Sequence, residues 1–254
     1  MAADVNSIML IVLVPLLIIA EFLVMVWLIS RFGGQSITNT PLIQGSIEKM
    51  TQSIPGAVGL EPPQQLQLFL ISQFNFYLLI IPTMVAISIA TFNIVDEKVS
   101  GSLEPLLATP VRTWELLLGK ALSGAIPALI VTWLSGIVFI AGVIIMGWGK
   151  LVALAVNPAW FIFLFLLTPV VALLSFLLGI IGSSRAKDAR GAQNLVVIII
   201  LPALALIAAQ VTGLLWFNAI NSILLAIILG IIDFLVLRLA VRLFQREAIV
   251  TQWR

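Results

Sequence analysis

The chain of 254 residues carries 13 Lys and Arg, 11 Asp and Glu, no His and no Cys, so the residues able to do chemistry are few. Their placement is therefore the first thing to read. Without Cys or His there is no thiol nucleophile, no disulfide, no His-ligated haem and no ordinary zinc site. Two acids, Glu21 and Asp233, stand alone inside long apolar runs. If those runs cross a membrane, an acid near the helix centre costs about 2.5–3.5 kcal/mol by insertion scales, and each needs a partner, a proton or water. Two readings stay open for this pair: lining a substrate path, or helix-to-helix hydrogen bonding. Arg238 lies five residues beyond Asp233, off the i,i+4 spacing that joins side chains on a helix. The remaining concentration of charge is Asn93 to Trp114, which holds Asp96, Glu97, Lys98, Glu104 and Arg112 between two apolar runs.

The elements that must position these groups follow from composition. Hydrophobic residues make up 61%, charged residues 9%, and the mean hydropathy is +1.20. Continuous apolar runs separated by short polar gaps predict a polytopic α-helical membrane protein, because only helices or closed barrels satisfy every backbone group in hydrocarbon, and a barrel needs alternation. The expected spans are 8–29, 68–92, 116–148, 159–182, 195–216 and 222–243. They form a single transmembrane domain over 1–254, with no soluble second domain. The first run is too long for a signal-peptide core and has no basic residue before it, so a retained span is expected. The segment 30–67, with Gly33-Gly34, Pro41, Pro55-Gly56 and Pro62-Pro63, has loop chemistry with one short helix near 43–52. A short turn is expected over 147–158. Pro15, Pro82, Pro127, Pro169 and Pro202 put one proline in each of the first five spans, read as packed kinks rather than hinges. Trp148, Trp160 and Trp216 sit where interface anchors are expected.

Six spans place both termini on one side. Lys98, Arg112, Lys120, Arg185, Lys187, Arg190, Arg238, Arg242, Arg246 and Arg254 fall on the terminal side, against Arg31, Lys49 and Lys150 on the other. The positive-inside rule then makes the termini and the 93–114 segment cytoplasmic. A net charge of +2 gives no reason to expect nucleic acid.

Within 93–114 the caps and breakers describe a small device. The second span can continue through Asp96, Glu97 and Lys98, and Gly101 suits a left-handed C-cap. Ser102 suits an N-cap, with Leu103, Glu104 and Pro105 in the first turn of a new helix that Pro110 ends; Thr113 can cap the next helix, with Glu115 in its first turn. Leu103, Leu106 and Leu107 give the short helix an apolar face. That face suits a lipid interface or a groove in a soluble partner, and amphipathicity does not choose between them.

The residues from Asp96 to Val111, followed by Glu115-Leu116 and Gly119-Lys120, resemble the E-[KR]-x-x-G-[ST]-L-E-x-L-L-x-[TS]-P-V…E-[LI]…G-K signature of ABC-2-type permeases, the membrane subunits of a class of ATP-binding-cassette exporters. Ser183 to Gln193 with Leu201-Pro202, and Phe244 to Ile249, are similar to two further family segments. The resemblance implies an all-α fold of six transmembrane helices with a short cytoplasmic coupling helix between helices 2 and 3. It implies that Asp96, Glu97, Lys98, Gly101, Ser102, Leu103, Glu104, Pro105, Leu106, Leu107, Thr109 and Pro110 form the contact with a separate cassette ATPase. The segment 217–221 leaves little room for the outer helices that many members carry between spans five and six. No G-x-x-x-x-G-K-[ST] occurs in the chain, so ATP and Mg are expected on the partner, and this chain is expected to be neither an enzyme nor a cofactor carrier. A second permease copy or a sister permease, the plasma membrane and the lipid around it complete the expected partners. An ion-coupled secondary transporter using Glu21 or Asp233, or a non-transport membrane anchor, are the alternatives.

Overall fold

The computed structural model describes residues 5–32, 40–99, 112–185 and 218–243, together with 201, 204–205, 208–212 and 214. The short helix expected from Ser102 to Thr109, its flanking Gly101 and Pro110, the basic loop after Arg185, most of the fifth expected span and the tail after Leu243 lie outside the described residues. Among those described, every regular element is helical: α1 (Val5–Phe32), α2 (Pro41–Ser53), a 3-10 turn (Pro55–Ala57), α3 (Pro62–Ser72), α4 (Phe74–Val99), α5 (Thr113–Ile145), α6 (Gly149–Ala155), α7 (Pro158–Ile162), a π-helical turn (Phe163–Leu167), α8 (Thr168–Arg185) and α9 (Ala219–Leu243). Five stretches are long and apolar enough to cross a membrane: Val12–Phe32, Pro62–Ala90, Thr113–Ile145, Pro158–Gly182 and Ala219–Leu243. The fifth expected crossing, 195–216, is described only in fragments, of which 201, 204–205 and 208–211 are helical.

Three expectations are corrected. The second span starts at Pro62 and is two helices broken at Gln73, where Gln73 N–H donates to Leu70 O at 3.0 Å and Phe76 N–H to Gln73 O at 3.1 Å. Side chains compete for the carbonyls of that turn. The Ser72 hydroxyl donates to Leu68 O at 2.8 Å and the Gln73 amide to Phe69 O at 3.3 Å, the local bonding by which polar residues loosen a helix. The turn expected over 147–158 contains helix α6, which starts after Gly147 reverses the chain at φ +86°, a conformation glycine adopts without steric cost. The N-cap of α5 is Arg112, one residue earlier than expected. Its backbone N–H donates to Glu115 Oε2 at 3.2 Å, so Glu115 works from the first turn as the returning half of a capping box.

The fourth span shows how an internal proline is accommodated. Pro169 has no N–H to offer, and the preceding turn widens into the π form, closed by Thr168 N–H on Phe163 O. The Leu164 carbonyl accepts from the Thr168 hydroxyl and from the Trp133 indole N–H at 3.3 Å. The backbone groups freed by the bulge are thus satisfied from within and from α5, as hydrocarbon requires.

Packing makes α4 the central helix. Of the apolar window of the α3–α4 stretch Pro62–Ala90, 78% is buried, against 11% for that of α9. Lipid tails are as apolar as the side chains they touch, so helices here are held by close fit more than by the hydrophobic effect. Ala86 and Ala90 of α4, Ala121 and Ala128 of α5, and Phe176, Leu177 and Ile180 of α8 form one buried cluster. A Cβ added at Gly179 of α8 would lie 2.8 Å from Ala90 Cβ and 3.4 Å from Ile87 Cα, so the α4 and α8 backbones approach through the absence of a side chain. Ser175 donates across the same interface to Thr83 Oγ1 at 3.2 Å.

At the other end of the bundle, α2, the 3-10 turn, α3 and α6 build a cap. Its interior of Ile47, Met50, Ile54, Leu66 and Leu151 is continuous with the core below. Because Ile87 is backbone-close at Gly179 and cannot retreat, Gly179→Leu is expected to destabilise the protein by about 1–3 kcal/mol. Gly230→Leu on α9, where nothing lies within 4 Å of an added Cβ, is expected to stay within about 0.5 kcal/mol. Thermal unfolding of both variants in the same detergent measures the difference.

Candidate functional site: the charged segment ends and the intramembrane carboxyls

The charged segment joins two helices that pack against each other. Helix α4 runs through Asp96, Glu97 and Lys98 to Val99, and α5 starts at Arg112. Ala86 and Ala90 near the end of α4 share a buried cluster with Leu117 and Ala121 near the start of α5. Residues 100–111 therefore connect neighbouring helix ends, and both helices lead directly into the close-packed contact with α8. Gly101, Ser102, Leu103, Glu104, Pro105, Leu106, Leu107, Thr109 and Pro110 fall in that connection, outside the described residues. The cap sits at the opposite end of α4.

The two isolated acids have different surroundings, and the structure does not bring them together into one site. Glu21 is exposed on α1, on the face that carries the exposed Leu17, Val24 and Leu28. The next residue, Phe22, is fully buried and packs against Phe74 of α4 and Phe139 of α5, with both centroid distances 5.6 Å, and against Tyr77 at 4.5 Å. Phe74 and Phe139 stack at 3.6 Å. This aromatic node fixes α1 to α4 and α5 at the base of the cap, and so fixes Glu21 there.

Asp233 points the other way. It lies seven residues from each of Ala226 and Ala240, both buried, so it occupies the face with which α9 packs on its neighbours. It is half-buried, and its Oδ1 has no hydrogen-bond partner among the described residues. Arg238 does not pair with it; the guanidinium sits over the Phe234 ring at 4.5 Å, a cation–π contact.

Several polar groups gain significance only in three dimensions. Gln73, at the break in the second span, and Gln210, in the fifth, are buried with side-chain carbonyl oxygens that accept no hydrogen bond. Ser46 of α2 donates to Val211 O at 2.8 Å and so ties the cap to the fifth span. Tyr77 carries a visible signal, being the chain's one tyrosine and lying inside an apolar run. Ser46 carries none, because its partner is 165 residues away. On the cap, a cleft of about 520 Å3 between α2 and α3 offers Gln44, Glu48, Thr51 and Gln65. Among the described residues no group of three acidic or metal-ligating side chains is gathered.

Removing the bare Asp233 oxygen relieves a desolvation cost of about 1–3 kcal/mol, and neighbouring positions on the same face are already alanine. Asp233→Ala is therefore expected to melt at the same temperature as the unmodified protein or higher in a detergent thermal scan. A lower melting temperature would show that the carboxyl is held by a bond within the fold.

Among the described residues, long apolar helices surround a central α4, and Glu21 and Asp233 are the acids that stand alone within them. No curated protein and no solved structure matches the chain. The family model described as ABC-2 family transporter protein matches residues 1–248, nearly the whole length. This multi-pass membrane protein therefore belongs to the ABC-2 transporter family, as a permease of an ATP-binding-cassette transporter.

Proposed function

We propose that the chain is one membrane half of an exporter in the plasma membrane, powered by a separate cassette ATPase that docks on the segment between α4 and α5. The family match over 1–248 carries this reading. The continuation of α4 through Asp96, Glu97 and Lys98 and the capped start of α5 at Arg112 support a short docking helix over Ser102 to Thr109 in the connection between them. In this scheme both termini and the segment are cytoplasmic, as the distribution of Lys and Arg favours. ATP and Mg bind the partner, and a second copy of the chain or a sister permease supplies the other half of the path.

Work then enters as displacement. Closure of two ATPase subunits on ATP moves the docked helix, and Gly101 and Pro110 act as its hinges. Because α4, α5 and α8 share one close-packed cluster, displacement of the segment moves these three helices together, and α9 with them where Ala240 joins the cluster. Leu103, Leu106 and Leu107 fill the partner's groove, and Glu97 and Glu104 set its electrostatic register.

Co-purification tests the partner: the full chain is expected to carry a cassette ATPase through affinity isolation, and transport in vesicles to follow ATP. Transport that follows a proton gradient, with no ATPase bound, favours an ion-coupled carrier instead. The docking surface is tested separately. Replacing Glu97 and Glu104 together by Lys is expected to leave insertion and yield unchanged while lowering ATP-driven transport at least about ten-fold, since reversing charges at a contact costs several kcal/mol. Unchanged transport in that variant removes the assigned contact.

A further inference from the structure

Glu21 is exposed near the middle of the apolar stretch Val12–Phe32, where a carboxylate needs water or a partner. It lies eleven residues, about 16 Å of helix, before the end of α1 at Phe32, within the apolar run that ends at Ile29. Its level against the other helices is set by the Phe22–Phe139 ring contact and by Leu23, whose Cδ1 lies 2.5 Å from where a Cβ at Gly142 would be. Helices α3, α4 and α5 pack on α1. Among their described side chains the bases are Arg112 and Lys120, and the nearer, Lys120, is nineteen residues or about 28 Å of helix from Phe139. Arg31 on α1 itself is ten residues away, about 15 Å. Among the described bases of these helices, none lies at the level of Glu21.

We infer that this face of α1 lines a wet part of the translocation path beneath the cap, and that Glu21 selects cargo bearing a positively charged group. The inference rests on the permease reading above. A lone acid within a membrane span faces a water-filled cavity or a partner, and its sign sets the preference. It attracts an ammonium or guanidinium group and repels an anion. Tyr77 packs its ring on Phe22 at 4.5 Å, and with Phe74 and Phe139 gives the helix a rigid backing. Phe22, Phe74 and Phe139 are buried and hold Glu21 in place without touching cargo.

The chain has no cysteine, so Glu21→Cys introduces its one thiol. In membranes containing the full chain, a cationic, water-soluble methanethiosulfonate reagent is expected to modify position 21 about ten-fold faster than the thiol of Ile228→Cys, an exposed apolar position on α9, because the reaction needs a hydrated thiolate. Equal, slow labelling at both positions overturns the inference, since it means that lipid or a tightly packed second copy covers Glu21. Charge selection is read with ethidium, a fluorescent organic cation, on the purified chain in nanodiscs. Glu21→Gln is expected to bind it about ten-fold more weakly than the unmodified protein, with an unchanged elution profile. Equal affinity in Glu21→Gln, or no binding by the unmodified protein, overturns the assignment of Glu21 as a selector. If the chain carries no ATPase yet position 21 labels fast and Glu21→Gln loses the dye, the ATP-driven reading fails and this one stands. The reverse pattern fails this one alone.

Discussion

The bundle depends on how closely α4 and α8 approach. In hydrocarbon, burying a leucine against a leucine gains little over leaving it in lipid, so contact distance decides which helices move together. Gly179 lets α8 lie against Ile87 and Ala90, and Ala86, Ala121 and Ala128 extend the same close fit to α5. Large aliphatic side chains point the other way: Ile126, Ile130, Leu134 and Ile137 of α5 are exposed. Along α5, small residues face inward and branched residues outward, an order that lipid as solvent permits.

This packing gives the charged segment its leverage. A connection between two loosely associated helices would lose displacement to bending, whereas α4 and α5 are fastened to each other and to α8 within a few turns of where the segment joins them. Toward the cap the fastening changes character. Four aromatic rings, Phe22, Phe74, Tyr77 and Phe139, meet where α1, α4 and α5 converge, just beyond the break at Gln73. Rings in such a node are worth about 0.5–1.5 kcal/mol per pair beyond their area. Above it the cap reaches the fifth span through the Ser46 hydroxyl and α6 through Gly56, where a Cβ would meet Leu154 at 2.5 Å. Motion entering at one end of α4 thus meets a second, differently built junction at the other.

Much of this was legible in the chain. Apolar runs placed α1, α5 and α9 within a few residues, since a helix surrounded by lipid advertises itself by composition alone, and the short helix expected near 43–52 lies within α2. The break at Gln73 was not legible. It arises from side-chain bonds of Ser72 and Gln73 to the preceding turn, in a run whose hydropathy stays high on both sides. Helix α6 was hidden for a related reason: seven residues between a glycine and a proline read as a turn, and their helicity depends on packing of Leu151 into the cap core. The acids at 21 and 233 were visible as anomalies, but whether each faces inward or outward depends on which neighbours a helix has, and periodicity of an almost wholly apolar helix cannot say.

That difference in orientation separates two roles that the sequence left joined. A carboxyl on a packing face, like Asp233 between Ala226 and Ala240, is a cost borne inside the fold. A second molecule can relieve it only by entering the seam between α9 and its neighbours. Glu21 stands on an outward face, where anything that solvates it approaches without disturbing the packing of Phe22 one residue away. A path that must open and close repeatedly can place a charge in the second setting, because hydration there is gained and lost without repacking the helices. Of the two acids, Glu21 is therefore the one whose surroundings change, on the reading proposed above, while the bundle behind it stays intact.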